Sequence, residues 1–130
     1  TDCVECHNPH ERVSNIKTQC TECHEDKPFK EYAMGTTHGK SGVTCVDCHM
    51  PHASKSAIKT GKFRGDVRSH LIKINLDPKA EMFMKGKFKG VKGTFAQGYV
   101  TSDFSCLACH GARDRKWAAK NGKNYHKIQD

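Results

Sequence analysis

The chain has 130 residues, enough for one small domain. Only 35% of them are hydrophobic and the mean hydropathy is -0.76, which on composition alone leans toward disorder rather than a conventional core. The formal charge of +8 raises nucleic acid or a membrane surface as partners, and no run approaches the roughly 18 apolar residues of a membrane span.

In chain order the first element is Cys3-Val4-Glu5-Cys6-His7, and its pattern returns at Cys20–His24, Cys45–His49 and Cys106–His110. Cys-x-x-Cys-His is the strap that attaches a c-type heme: two thiols form thioethers to the porphyrin edge and the next imidazole ligates the iron. Cys3, Cys6, Cys20, Cys23, Cys45, Cys48, Cys106 and Cys109 are all the cysteines present, so none remains for a disulfide or a separate metal site. Chance would place only about 0.03 such motifs in a chain of this length and composition. Zinc bound by paired Cys-x-x-Cys units gives no reason for a histidine after every second cysteine. A disulfide framework gives none for the constant offset. The expectation is four covalently bound hemes c, with iron held by His7, His24, His49 and His110.

Four apolar macrocycles would then supply the interior that the side chains lack, as metals or disulfides staple other small scaffolds. The heme-free polypeptide is accordingly expected to be unfolded. The expected fold is mostly irregular, with a few short α-helices and little β, a single small domain over 1–130 packed around four covalent hemes. Heme propionates also change the charge argument: they bring the holoprotein to about +4 oxidised and about 0 reduced, which removes the case for nucleic acid. Covalent attachment takes place outside the cytoplasmic membrane, so an export signal is expected ahead of a strap that starts two residues from Thr1. The expected location is extracytoplasmic, either periplasmic or extracellular.

Twelve residues separate His7 from Cys20 and twenty separate His24 from Cys45. At roughly 3.3–3.6 Å per residue such linkers keep the first three hemes close. Two straps continue alike, as His7-Asn8-Pro9-His10 and His49-Met50-Pro51-His52, where proline stiffens the exit and holds out a second histidine. Residues 28–38 read as a short helix with Pro28 in its first turn, His38 near its end and Gly39 as its stop. The 56 residues between His49 and Cys106 carry His70 in a loosely alternating stretch, Val67 to Leu76. They also carry a glycine-punctuated basic run with Phe83, Phe88, Phe95 and Tyr99, read as a loop with a hairpin or an arm over a neighbour, with Lys85–Lys92 as solvated loop. A helix is expected from Ser105, its cap, to Lys120, stopped by Asn121 and Gly122, with His126 in a frayed tail.

Nine histidines less four proximal ones leave five, His10, His38, His52, His70 and His126, for four distal positions. Bis-histidine ligation at every iron with one histidine spare is the simplest assignment, and it implies low, negative potentials. Methionine ligation, from Met34, Met50, Met82 or Met84, would raise them.

The run from Cys20 to His52 resembles multiheme cytochromes of the nitrite reductase and membrane quinol dehydrogenase superfamily. The likeness rests on a strap, a histidine, then Gly39-x-x-Gly42-Val-Thr-Cys-Val-Asp-Cys-His-Met-Pro-His52, strongest over Cys45–Pro51. It implies electron transfer through covalent hemes and a distal-ligand role for His38. There are departures: the reductases carry a fifth, catalytic heme, the dehydrogenases an N-terminal membrane anchor, and the glycine–lysine segment matches neither. In heme number and small size the chain is also similar to tetraheme cytochromes that polymerise into extracellular conducting filaments.

Three functions follow. Six-coordinate bis-histidine iron has no open site and only changes oxidation state, so the leading expectation is an electron carrier and not an enzyme. Its partners would be redox proteins or neighbouring copies of itself, up to a homopolymer. A soluble periplasmic carrier is the second reading. A reductase of a nitrogen or sulfur oxyanion is the third, and it would need one open iron lined by proton donors. The available side chains, Arg64, Arg68, Arg113, Lys116 and Tyr125, do not form an evident set.

Overall fold

Each of the first three straps carries its own helix-start signal. The computed structural model describes residues 2–12, 15–25 and 36–126; most of the helix expected over 28–38 lies outside them. The chain divides into two units, Thr1–Val43 with His126–Asp130, and Thr44–Tyr125.

In the first unit, single-turn helices form at Cys3–Cys6 and Cys20–Cys23. Lys17 N–H donates to the Cys6 carbonyl at 2.9 Å and the Thr18 hydroxyl to the Glu5 carbonyl at 2.8 Å. His7 forms a β-bridge with Ile16, so the short linker folds back along the first strap before the second begins. A third helix, Thr37–Lys40, is capped by the Thr36 hydroxyl, which accepts from Gly39 N–H at 2.9 Å. Gly39 lies inside this helix and does not end it. The stop is Gly42, at φ 82°, where Val43 N–H reaches the His38 carbonyl and Gly42 N–H the Gly39 carbonyl. That pattern is a Schellman closure, and it requires the left-handed residue three positions later than the sequence suggested.

In the second unit, strand occurs in three two-stranded pieces. β1 (Ser54–Gly61) and β2 (Arg64–Val67) are antiparallel; β3 (Ile74–Asn75) and β6 (Val100–Thr101) are parallel; β4 (Phe83–Phe88) and β5 (Val91–Ala96) form an antiparallel ribbon. Lys85–Lys92, expected as solvated loop, is the outer half of that ribbon. Phe88 pairs with Val91 around Lys89 (φ 46°) and Gly90 (φ 80°), so both central residues have the positive φ that twists a two-residue turn to match its strands. The small buried cluster of Ala53, Met82, Val100 and Phe104 sits where these pieces meet, with Leu71, Ile74 and Phe83 packed on it. Phe63 stacks on Phe83 at 4.4 Å and Arg64 lies over the Phe104 ring at 4.2 Å.

The helix expected from Ser105 to Lys120 is two helices with the fourth strap between them. Ser102–Ser105 ends at the strap, with Ser105 buried as its last residue rather than a cap. Arg115–Gly122 begins anew, capped by the Asp114 carboxylate, which accepts from Trp117 N–H at 2.8 Å. It ends at Gly122, as expected. That glycine also allows close approach, because a Cβ there would lie 2.9 Å from the Leu76 side chain.

Candidate heme attachment site

One helical turn explains the strap. In an α-helix positions i, i+3 and i+4 share a face, so Cys3, Cys6 and His7 come to one side, as do their counterparts. His7, His24 and His110 each donate their backbone N–H to the carbonyl of the strap's first cysteine at 2.9 Å. His49 is itself the last residue of the helix Cys45–His49. None of the eight cysteines is in a disulfide, and every one is exposed or partly so, as bond formation to a porphyrin edge requires.

What starts three of these turns is a reciprocal cap that spacing alone did not reveal. The residue before the strap and the acid inside it pair as Asp2 with Glu5, Gln19 with Glu22 and Thr44 with Asp47. Gln19 N–H donates to the Glu22 carboxylate at 2.7 Å, and Thr44 N–H to that of Asp47 at 2.8 Å. A capping box of this kind satisfies amides that a helix start leaves orphaned. The fourth strap has Ala108 at the acid's place and is a turn following Ser102–Ser105.

The third strap is held most closely. Nδ1 of His49 lies 2.7 Å from the carbonyl oxygen of Ile72. A carbonyl only accepts, so in the neutral ring Nδ1 carries the hydrogen and Nε2 presents its lone pair, the tautomer an iron needs. Arg68 grips the same turn, donating to the Val46 and Met50 carbonyls at 3.0 and 3.1 Å and to Asp47 at 2.9 Å. The backbone hydrogen bond from Thr44 lowers the Asp47 pKa most; the Arg68 bond and charge add to it against the opposing effect of partial burial.

The third and fourth straps are neighbours. Burial pushes the Cys48 thiol up, and the nearby Cys106, Asp47 and Cys109 charges push the same way; burial also raises Cys106. The fourth strap, tied to the third by the longest connection, thus lies beside it. The His110 ring packs on Trp117 at a centroid distance of 4.9 Å, and the Arg113 guanidinium covers the indole at 5.4 Å.

The other histidines divide by unit. His10, His38 and His126 belong to the first, with straps one and two; His52 and His70 belong to the second, with straps three and four. His10 is exposed in a turn where Asn8 accepts from its N–H at 3.1 Å. His52 is exposed beside buried Pro51, whose carbonyl accepts from Ala53 and Ser69 N–H. His70 is exposed at a cavity of about 330 Å³ shared with Ser69, Leu71, Met82 and Phe83. Among the described residues no three His, Cys, Asp or Glu side chains converge on a metal-sized point. Met82 is buried in the core cluster at 1% exposure and also lines the cavity at His70. The paired thiols on one face and the fixed His49 tautomer fit heme c.

The N-terminal region of the NapC/NirT cytochrome c family matches residues 10–129. This chain belongs to the NapC/NirT cytochrome c family. It is a multiheme c-type cytochrome, with heme c bound covalently, and it takes part in electron transfer in redox chains. The match runs through the glycine–lysine ribbon, well beyond the stretch from Cys20 to His52 that carries the visible likeness. No curated protein and no solved structure matches the chain. Families of this type are extracytoplasmic or membrane-anchored. No helix of the described residues is long and apolar enough to cross a membrane.

Proposed function

We propose that this protein relays electrons through four hemes c, each with two histidine ligands, and performs no substrate chemistry of its own. The observation that carries this is the repeated one-turn strap, which sets two thiols and an imidazole on one face at all four positions. Heme c supplies an iron that alternates between ferric and ferrous. The cysteine pairs fasten it, and His7, His24, His49 and His110 ligate from the strap side.

Ligand counting by unit sharpens the distal assignment. The second unit has two straps and two further histidines, His52 and His70; the first has two straps and three, His10, His38 and His126. With each unit ligating its own hemes, the spare histidine is one of those in the first unit. The arginines do not favour a reductase. Arg64 donates to the Asp103 carbonyl at 3.0 Å while lying over Phe104, and Arg68 is bound to the third strap, so both already serve the fold.

The test is mass spectrometry of the exported holoprotein with paramagnetic resonance of its oxidised form. Four hemes and only low-spin iron are expected. Fewer hemes, or a high-spin fraction near one heme in four, would overturn the reading and support an open reductase site.

A finer reading is that copies join into an extracellular polymer. Exposed His10 supports it, together with Met84, Phe88 and Val91, which leave apolar surface on the β4–β5 ribbon. The expected outcome is filaments in electron micrographs of the native secreted fraction, shortened or lost in His10→Ala. Monodisperse monomers at high concentration would leave a soluble periplasmic carrier.

A further inference from the structure

Resting on the heme reading, we propose that Ile72 is a positioning residue: the backbone turn it occupies aims its carbonyl at His49 and lowers the reduction potential of the heme held by Cys45, Cys48 and His49.

The turn is unusual for its residue. Ile72 has φ 58°, a left-handed conformation that is a genuine outlier for a β-branched side chain. Lys73 N–H donates to the Leu71 carbonyl at 2.6 Å, closing a three-residue turn around Ile72. With positive φ at its centre this is the rare, strained form of γ-turn. Such strain persists only where neighbours over-determine it. Here Val100 N–H donates to the Lys73 carbonyl at 2.7 Å, and β3 then pairs with β6 from Ile74 onward. On the other side Ser69 N–H is fixed to the Pro51 carbonyl at 2.8 Å.

Packing of the isoleucine against other side chains does not account for the turn, because Ile72 is 51% exposed in the polypeptide. Its carbonyl, however, meets His49 Nδ1 at 2.7 Å. A hydrogen bond from the outer nitrogen of a ligating imidazole fixes the ring and makes it a stronger donor to the metal. Stronger donation favours the ferric state, so the potential falls. The same short segment ties the third strap to the β3–β6 pair, and the chain leads from β6 through Ser102–Ser105 into the fourth strap.

The experiment uses the full holoprotein in three forms: wild type, Ile72→Gly and Ile72→Pro. Glycine adopts positive φ freely, whereas proline fixes φ near −65° and cannot hold this turn. The readouts are the heme midpoint potentials and proton magnetic resonance of the His49 Nδ1–H in the reduced state. We expect a slowly exchanging Nδ1–H and unchanged potentials in wild type and Ile72→Gly. In Ile72→Pro that proton should exchange fast and one midpoint should rise while the others stay. A rise in Ile72→Gly equal to that in Ile72→Pro would overturn the inference, as would a folded Ile72→Pro with no change. Should Ile72→Pro fail to mature, fast exchange of the wild-type Nδ1–H is by itself enough to refute it. Heme count by mass separates the two levels: absent heme defeats the cytochrome reading, whereas attached heme with no shift defeats only the role of Ile72.

Discussion

Arg68 was one of several cations that could have lined a substrate site, and its contacts show it holding the third strap instead. Its side chain is 33% exposed, yet it donates to two carbonyls and the Asp47 carboxylate. Arg68→Met keeps the apolar stem and removes all three bonds, so a loss of about 2 kcal/mol is expected, in line with hydrogen bonds to charged groups. Denaturant unfolding of the holoprotein followed at the heme absorption band measures it; a loss no larger than that of an exposed-lysine variant would contradict the clamp. Asp47 adds a pH dependence. Its folded pKa lies below the ordinary 3.8, so its stabilisation is present above that value and is lost as pH falls through the lower folded pKa. Wild type should therefore lose stability below about pH 4 more steeply than Asp47→Asn, a difference read from paired acid titrations. Neither role was legible in residue type. An arginine in a sequence does not disclose that its partners are backbone carbonyls 18 and 22 positions away.

At the scale of elements, local chemistry explains both what could be read and what was missed. The straps were legible because thiol and imidazole spacing is itself the chemistry. Their caps were missed, although the signal lies in the chain as an acid three residues after Asp2, Gln19 and Thr44, with Ala108 in that place in the strap that does not open a helix. One helix stop was misplaced because a glycine need not stop a helix: Gly39 lies inside Thr37–Lys40 and Gly42 closes it, while Gly122 ends its helix and also makes room for Leu76. The β4–β5 ribbon was obscured by its lysines, which resemble solvated loop until their partners are known. Lys87 faces Lys92 across it, Met84 faces Phe95, and the Phe88 and Phe95 rings lie 6.1 Å apart. Its turn depends on Gly90, so Gly90→Val should weaken the hairpin by about 1–2 kcal/mol, the cost of left-handed φ in an L-residue. Faster amide exchange over residues 83–96 with an unchanged heme spectrum is the expected outcome. A ribbon that exchanges as slowly as wild type would show that tertiary contacts, not the turn, hold it.

Across the whole molecule the polypeptide offers little interior of its own. Among the described residues the buried apolar side chains are Ala53, Met82, Val100, Phe104 and Ala118. All five fall in the second unit, and two of them are alanines. Ordering a chain costs conformational entropy at every residue, and so small a core cannot offset it without the macrocycles. With all eight cysteines replaced by alanine, the heme-free protein should show the circular dichroism of a coil; a native-like spectrum would contradict this. The ligand distribution makes the more demanding prediction. If each unit supplies its own axial histidines, His52→Ala combined with His70→Ala removes both distal ligands of the second unit and none of the first. Two hemes should then turn high-spin or change ligand and rise in potential, while two remain low-spin at their original potentials. Adding His38→Ala to this pair should perturb at most one heme more, because the first unit keeps a spare. Paramagnetic resonance of the oxidised variants counts the spins directly. Proton magnetic resonance assigned to each strap then shows which hemes changed: a disturbed heme at Cys20–His24 or Cys3–His7 would show that histidines cross between the units, and the assignment by unit would fall.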